Sequence, residues 1–216
     1  MKDLQKMGGI AALYEGLAYV VGIIGFLFVV GWPDDPVKQM AVLVENQVSL
    51  HILYIIVYQV FAIFLVVLAL ALYERLKAGS PVIMQIATAI GMIWAAVVIA
   101  SGMIFNIGMD TVVGLYGTDP AQATTVWLTI NSVCDGIGGG NEILGGLWAL
   151  LISWVALRAG GLPKVLNYLG VVIGVAGIVS ALPGLGEVGM IFGLGQIVWF
   201  VWLGIVMLRG SSSAAA

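Results

Sequence analysis

The chain has 216 residues, of which 62% are hydrophobic and 9% charged. Eight Lys and Arg with eleven Asp and Glu make nineteen charges, where a soluble domain of this length carries about 54. At a mean hydropathy of +1.13, so much apolar surface must face lipid, which excludes a disordered chain, a disulfide-stapled secreted scaffold and a water-soluble enzyme.

The formal charge of −3 gives no electrostatic case for nucleic acid. Cys134 is the single cysteine, so no disulfide forms within the chain. His51 is the single histidine, which excludes haem held by two histidines and a multi-histidine metal site. Neither a cofactor nor a metal is expected.

Lys2 and Lys6 precede an apolar run that continues to Trp32. That run is too long for the core of a signal peptide and reads as a retained first span, 8–32. Asp35-Pro36 then carries an N-cap and first-turn signal, and Val37, Met40, Ala41, Val44 and Val48 recur at helical spacing. This predicts a short helix in the outer interface, with Lys38, Gln39, Glu45 and Asn46 on its polar side. Spans two and three follow at 50–73 and 82–106.

Thr118-Asp119-Pro120 starts another helix. If continuous to Arg158 it would be about 58 Å long, nearly twice the hydrocarbon thickness. Gly136 and Gly138-Gly139-Gly140 are where it should break, which puts span four at 139–157. Spans five and six fall at 165–183 and 189–208. The expected fold is an all-α polytopic membrane bundle of six transmembrane helices with short outer interfacial helices. Residues 1–210 form a single integral membrane domain, and 211–216 read as a disordered or added tail.

Six spans place both termini on one side. Lys2, Lys6, Arg75, Lys77, Arg158, Lys164 and Arg209 fall there, and only Lys38 falls opposite. By the positive-inside rule both termini are cytoplasmic. Leu76 to Pro81 and Leu157 to Pro163 join hairpins with similar turn chemistry, which shared turn physics explains as well as duplication does. Gly170-x-x-x-Gly174, Gly189-x-x-x-Gly193 and Ala87-x-x-x-Gly91-x-x-x-Ala95 predict close helix packing, inside the bundle rather than against a second copy.

Three acids fall in or beside apolar runs: Glu15, Asp135 and Glu142. Each costs at least about 2.5–3.5 kcal/mol at the bilayer centre unless compensated. Counted from Arg158 and Glu74, Glu142 comes level with Tyr58 and Gln59 at about 24 Å, and Asp135 with His51 at about 34 Å. Asn131, Asp135, Gly138 and Glu142 share one helical side, and His51, Tyr54 and Tyr58 share another. If these faces meet, Glu142, Asn141, Asp135, Asn131, Tyr58, Gln59, Tyr54 and His51 form an outward-opening polar cleft with a carboxylate at its floor. Plain readings stand beside this one. Asp135 and His51 would be solvated at the rim, Asn141 or freed backbone groups would satisfy Glu142, and Cys134 would simply pack. Glu15 lies low in the bilayer and would be held by Tyr14 or Tyr19.

Gly145-Gly146-Leu147-Trp148, Arg158-Ala159-Gly160, Leu162-Pro163 and Leu169-Gly170-x-x-x-Gly174 resemble a bacterial family of six-span membrane proteins catalogued as a domain of unknown function. The resemblance covers residues 8–208, with its specific part at 141–175. It implies six helices in a bacterial membrane and brings no catalytic residues.

Three functions fit these readings unequally. The favoured one is binding or transport of a small solute or amphiphile, with a lipid or small-molecule ligand in the cleft. The second is a non-catalytic subunit or scaffold that docks a protein partner or another copy. An enzyme is disfavoured, because HExxH and GxSxG motifs are absent. A retinal pigment lacks a mid-membrane lysine for its Schiff base.

Overall fold

The computed structural model describes residues 2–33, 35–139 and 142–212, and all their regular structure is helical. In chain order the helices are α1 (Lys2–Ile24), α2 (Pro36–Glu45), α3 (Gln47–Tyr54), α4 (Phe61–Leu76), α5 (Pro81–Tyr116), α6 (Pro120–Cys134), α7 (Ile143–Ala159), α8 (Lys164–Ser180) and α9 (Gly189–Ser212). π-helical segments continue α1 over Gly25–Val30, join α3 to α4 over Ile55–Val60 and continue α6 over Asp135–Gly139.

The chain is a multi-pass membrane protein built as a helix bundle. Among the described residues five helical stretches are long and apolar enough to cross a bilayer: Asp3–Phe28, Gln47–Leu76, Pro81–Tyr116, Pro120–Ala159 and Gly186–Gly210. The expected fifth span corresponds to the shorter apolar α8, Lys164–Ser180.

Helix ends follow local chemistry. The first span stops at Gly31, whose φ of +64° is the left-handed C-cap conformation that glycine adopts freely. Asp35 Oδ1 accepts the Val37 N–H at 2.9 Å, and Asp119 Oδ1 accepts that of Gln122 at 3.0 Å. Both starts match the sequence reading. The third span does not end near 106, since α5 runs on to Tyr116. Asp110 interrupts the apolar run there, but Phe105, Met109 and Val112 keep a buried stripe at helical spacing. As the glycines demand, the α-helix gives way after Cys134, and α7 begins at Ile143. The last helix reaches Ser212, so the tail begins as helix; 213–216 lie outside the described residues.

Contacts divide the chain into two compact units. Unit 1 takes Met1–Tyr19, Phe61–Ala96 and Glu142–Ala216. Its antiparallel pair α7 and α8 meets backbone to backbone: a Cβ on Gly146 would stand 2.7 Å from Gly174 O and 3.0 Å from Ile178 N. Only glycine permits that approach. The Gly170–Gly174 stripe therefore packs internally, whereas Gly193 meets nothing within 4 Å. The two look-alike hairpins differ in conformation, because Gly160 and Gly161 have φ of +78° and +92° and Gly79 does not turn left-handed. They are tied together by Arg75 Nε, which donates to Gly161 O at 2.9 Å. Beside them Lys77 Nζ donates to Glu74 at 2.7 Å, and that carboxylate holds the lysine above its usual range.

Unit 2 takes Val20–Val60 and Val97–Asn141. Its core joins Met40 and Leu43 of α2, Leu50 and Tyr54 of α3, Phe105 and Met109 of α5 and Trp127 of α6. The buried face of α2 is thus Met40 and Leu43, while Val37, Val44 and Val48 are exposed. The helix starts where expected, but of its anticipated apolar stripe only Met40 is buried, Val37, Ala41 and Val44 face outward, and the exposed Val48 falls on α3. Gln39, expected to be solvated, accepts the Trp127 indole N–H at 2.7 Å.

Candidate functional site

The strongest gathering of polar side chains within apolar helices lies in unit 2. Phe105, Tyr54 and Tyr58 stack as parallel rings, with centroids 3.4 and 4.8 Å apart and planes within 8°. Asp135 lies within electrostatic reach of both tyrosines. Asn131 Nδ2 donates to Asp135 Oδ2 at 3.0 Å, one turn apart on α6 and its extension. A Cβ on Gly102 would stand 3.2 Å from Tyr58 Cγ and 3.3 Å from Gln59 Cδ, so the glycine lets α5 close on both. Gln59 Oε1 is buried and has no hydrogen-bond partner among the described residues.

Two π segments carry this group, Ile55–Val60 holding Tyr58 and Gln59 and Asp135–Gly139 opening on the acid. A π turn inserts one residue into the helical ladder and leaves backbone groups needing new partners. Ser101 supplies one: its Oγ donates to Cys134 O at 2.9 Å, and the Cys134 thiol reaches back to Ser101 O at 3.5 Å. Gly138 permits another close approach, since a Cβ there would stand 2.8 Å from Val97 O. Cys134 is a buried packing residue that also closes this clamp.

The other expected site residues are described by their own surroundings. His51 Nδ1 lies 3.8 Å from Asp110 Oδ1, which also accepts Gln47 Nε2 at 2.8 Å, so His51 belongs to a polar cluster on α3 and α5. Glu142 belongs to unit 1, where a Cβ on Gly189 would stand 3.5 Å from its Oε1. There its carboxylate lies beside Gly189, the first residue of α9. The shared side from Asn131 to Glu142 supposed α-helical rotation throughout, and the π segment breaks that supposition. Asn141 lies outside the described residues.

Buried polar groups that hold no charge escaped the sequence reading. In unit 2 these are Ser101 and Asn106, whose Oδ1 has no partner among the described residues. In unit 1 Ser153, Asn167 and Gln196 are fully buried, and each has at least one side-chain atom without a hydrogen-bond partner there. An amide or hydroxyl inside an apolar run was the available signal, and it is weaker than a charge because its burial costs less. Glu15 has no hydrogen-bond partner on either oxygen among the described residues, contrary to the expectation that Tyr14 or Tyr19 would hold it. Tyr14 instead stacks on Phe64, and Tyr19 packs against Phe61 and Phe200. Among the described residues no group of three or more His, Cys, Asp or Glu could hold a metal.

Compared with known families, residues 15–206 match the model of a domain of unknown function, DUF4386. The chain belongs to the DUF4386 family. That match takes in α4, α5, α6, α7 and α8 completely, so DUF4386 describes the membrane bundle itself rather than an appendage. No curated protein and no solved structure matches the chain.

Proposed function

We propose that this DUF4386 member binds or carries a small solute or amphiphile at the polar face of unit 2. The observation that carries the reading is the group Tyr54, Tyr58, Gln59, Asn131 and Asp135 inside apolar helices, with Tyr58, Gln59 and Asp135 in two π segments. Polar groups at membrane depth are costly, and π turns concentrate at functional positions. An open apolar groove of about 400 Å³ on the same unit, lined by Val21, Ile24, Gly25, Ile52, Leu53 and Ser49 among others, suits the chain of an amphiphile. His51 would stand at the mouth. Glu142, which belongs to unit 1, is tested apart from this group, and Asn141 lies outside the described residues.

The charge bias supports cytoplasmic termini, and the family resemblance supports a bacterial plasma membrane. A second reading, a non-catalytic scaffold for a membrane partner or another copy, draws on the exposed Val37 and Val44 of α2 and Val48 of α3.

Native mass spectrometry of the protein released from lipid tests the first reading. Asp135→Asn and Tyr58→Phe should each lower retention of the co-purified small molecule about tenfold, equivalent to about 1.4 kcal/mol. Equal retention in both variants would sink the proposal in favour of the scaffold. Unchanged retention in Glu142→Gln would show that binding does not depend on Glu142.

A further inference from the structure

Unit 1 contains a carboxylic acid that the reading above does not use. Glu15 is 0% exposed, on the α1 face formed by Gly8, Ala11, Ala12 and Ala18. Neither of its oxygens has a hydrogen-bond partner among the described residues. An ionised carboxylate without a partner in such a place is penalised by several kcal/mol, and a proton removes the penalty.

Its surroundings can be named helix by helix. α1 packs against α4, where Tyr14 stacks on Phe64 at 4.3 Å and Tyr19 meets Phe61 at 5.8 Å. It also packs against α9, which runs antiparallel: Gly9 lies beside Leu208 and Gly16 beside Val201. The titratable or charged groups of these helices in unit 1 are Lys2, Asp3, Lys6, Tyr14 and Tyr19 of α1, Tyr73, Glu74 and Arg75 of α4, and Arg209 of α9. Tyr14 is in electrostatic contact with Glu15. Arg75 is engaged by Gly161 O and by Gln5 Oε1 at 3.2 Å, and Gln5 lies about 15 Å along α1 from Glu15. Arg209 follows Leu208, level with Gly9 and about 9 Å along the axis from Glu15.

Gln196 supplies a second, independent observation. It too is 0% exposed, with neither amide atom hydrogen-bonded among the described residues. Glu15 stands one turn before Tyr19 on α1, and Gln196 one turn before Phe200 on α9. Because these helices are antiparallel and the Tyr19 and Phe200 rings meet at 6.2 Å, the two polar groups flank one aromatic layer.

We propose that Glu15 is a proton-binding site in the interior of unit 1, with Gln196 the next polar group across the aromatic layer. The ligand is the proton itself. One O–H bond forms on a Glu15 Oε, the negative charge is neutralised, and water supplies or receives the proton.

Infrared spectra of the full chain in lipid vesicles at pH 7, compared with Glu15→Gln, test this. The variant should lose the carbonyl stretch of a neutral carboxylic acid, and in the wild type that band should shift on transfer to D2O. Loss of ionised-carboxylate bands instead would overturn the proposal. So would a neutral-acid band that D2O leaves unmoved, because a sealed acid is structural and binds no exchanging proton. Should the variant fail to fold, dicyclohexylcarbodiimide treatment of the wild type decides, since the reagent attacks protonated carboxyls in apolar surroundings. Modification of Glu15 located by peptide mass spectrometry supports the site, and an unmodified Glu15 refutes it.

Discussion

At Gly146 one missing methyl group decides how two helices meet. The neighbours of a Cβ there are the backbone atoms Gly174 O and Ile178 N, which cannot rotate aside as a side chain can. Gly146→Ala should destabilise the protein by about 1–3 kcal/mol through overpacking. Gly193→Ala, with nothing within 4 Å of the added carbon, should change stability little. Denaturant unfolding in mixed micelles measures both, and equal midpoints would contradict the close packing of α7 on α8. The same scale separates the three intramembrane acids. Glu142 stands beside Gly189, Asp135 accepts from Asn131, and Glu15 has no hydrogen-bond partner among the described residues.

Helix starts and π segments belong to the next scale. Asp35 and Asp119 each accept a backbone N–H at the start of a helix opened by proline, and both signals were readable as Asp-Pro pairs. Asp35→Ala should cost about 1 kcal/mol, seen as faster hydrogen exchange at the Val37 amide while that of Gln122 stays unchanged. The π segments left no comparable mark. Hydropathy and α-periodicity read through Ile55–Val60 as ordinary span, because a one-residue insertion shifts the phase without altering composition. At Asp135–Gly139 the glycines did signal a break, though not its form. Extending an α-helical face from Asn131 to Glu142 therefore failed on rotation, whereas the break itself fell where glycine content placed it.

For the whole molecule, the distribution of basic residues makes a prediction about orientation. In a Cys134→Ser background, single cysteines at Ala78 and Gly161 should react with a membrane-impermeant maleimide from the cytoplasmic side. One at Thr118 should react only from the opposite side. Labelling of all three from one side would overturn the six-span topology.

Composition and spacing alone settle that the chain is a helical membrane protein, where its capped helices start, and where the fourth span yields. These follow from transfer free energies and local hydrogen bonds, which depend on residues near in sequence. Which apolar face meets protein and which meets lipid is another matter. Met40 and Leu43 are buried while Val37, Val44 and Val48 are exposed, although all five are equally at home in hydrocarbon. Lipid and protein interior solvate such side chains alike, so no transfer term encodes the choice. Only close packing between helices makes it, and the same packing buries Glu15 in unit 1 and sets Tyr58 and Asp135 together in unit 2. The low charge count pointed to lipid, and the folded arrangement shows which of the few remaining charges are enclosed.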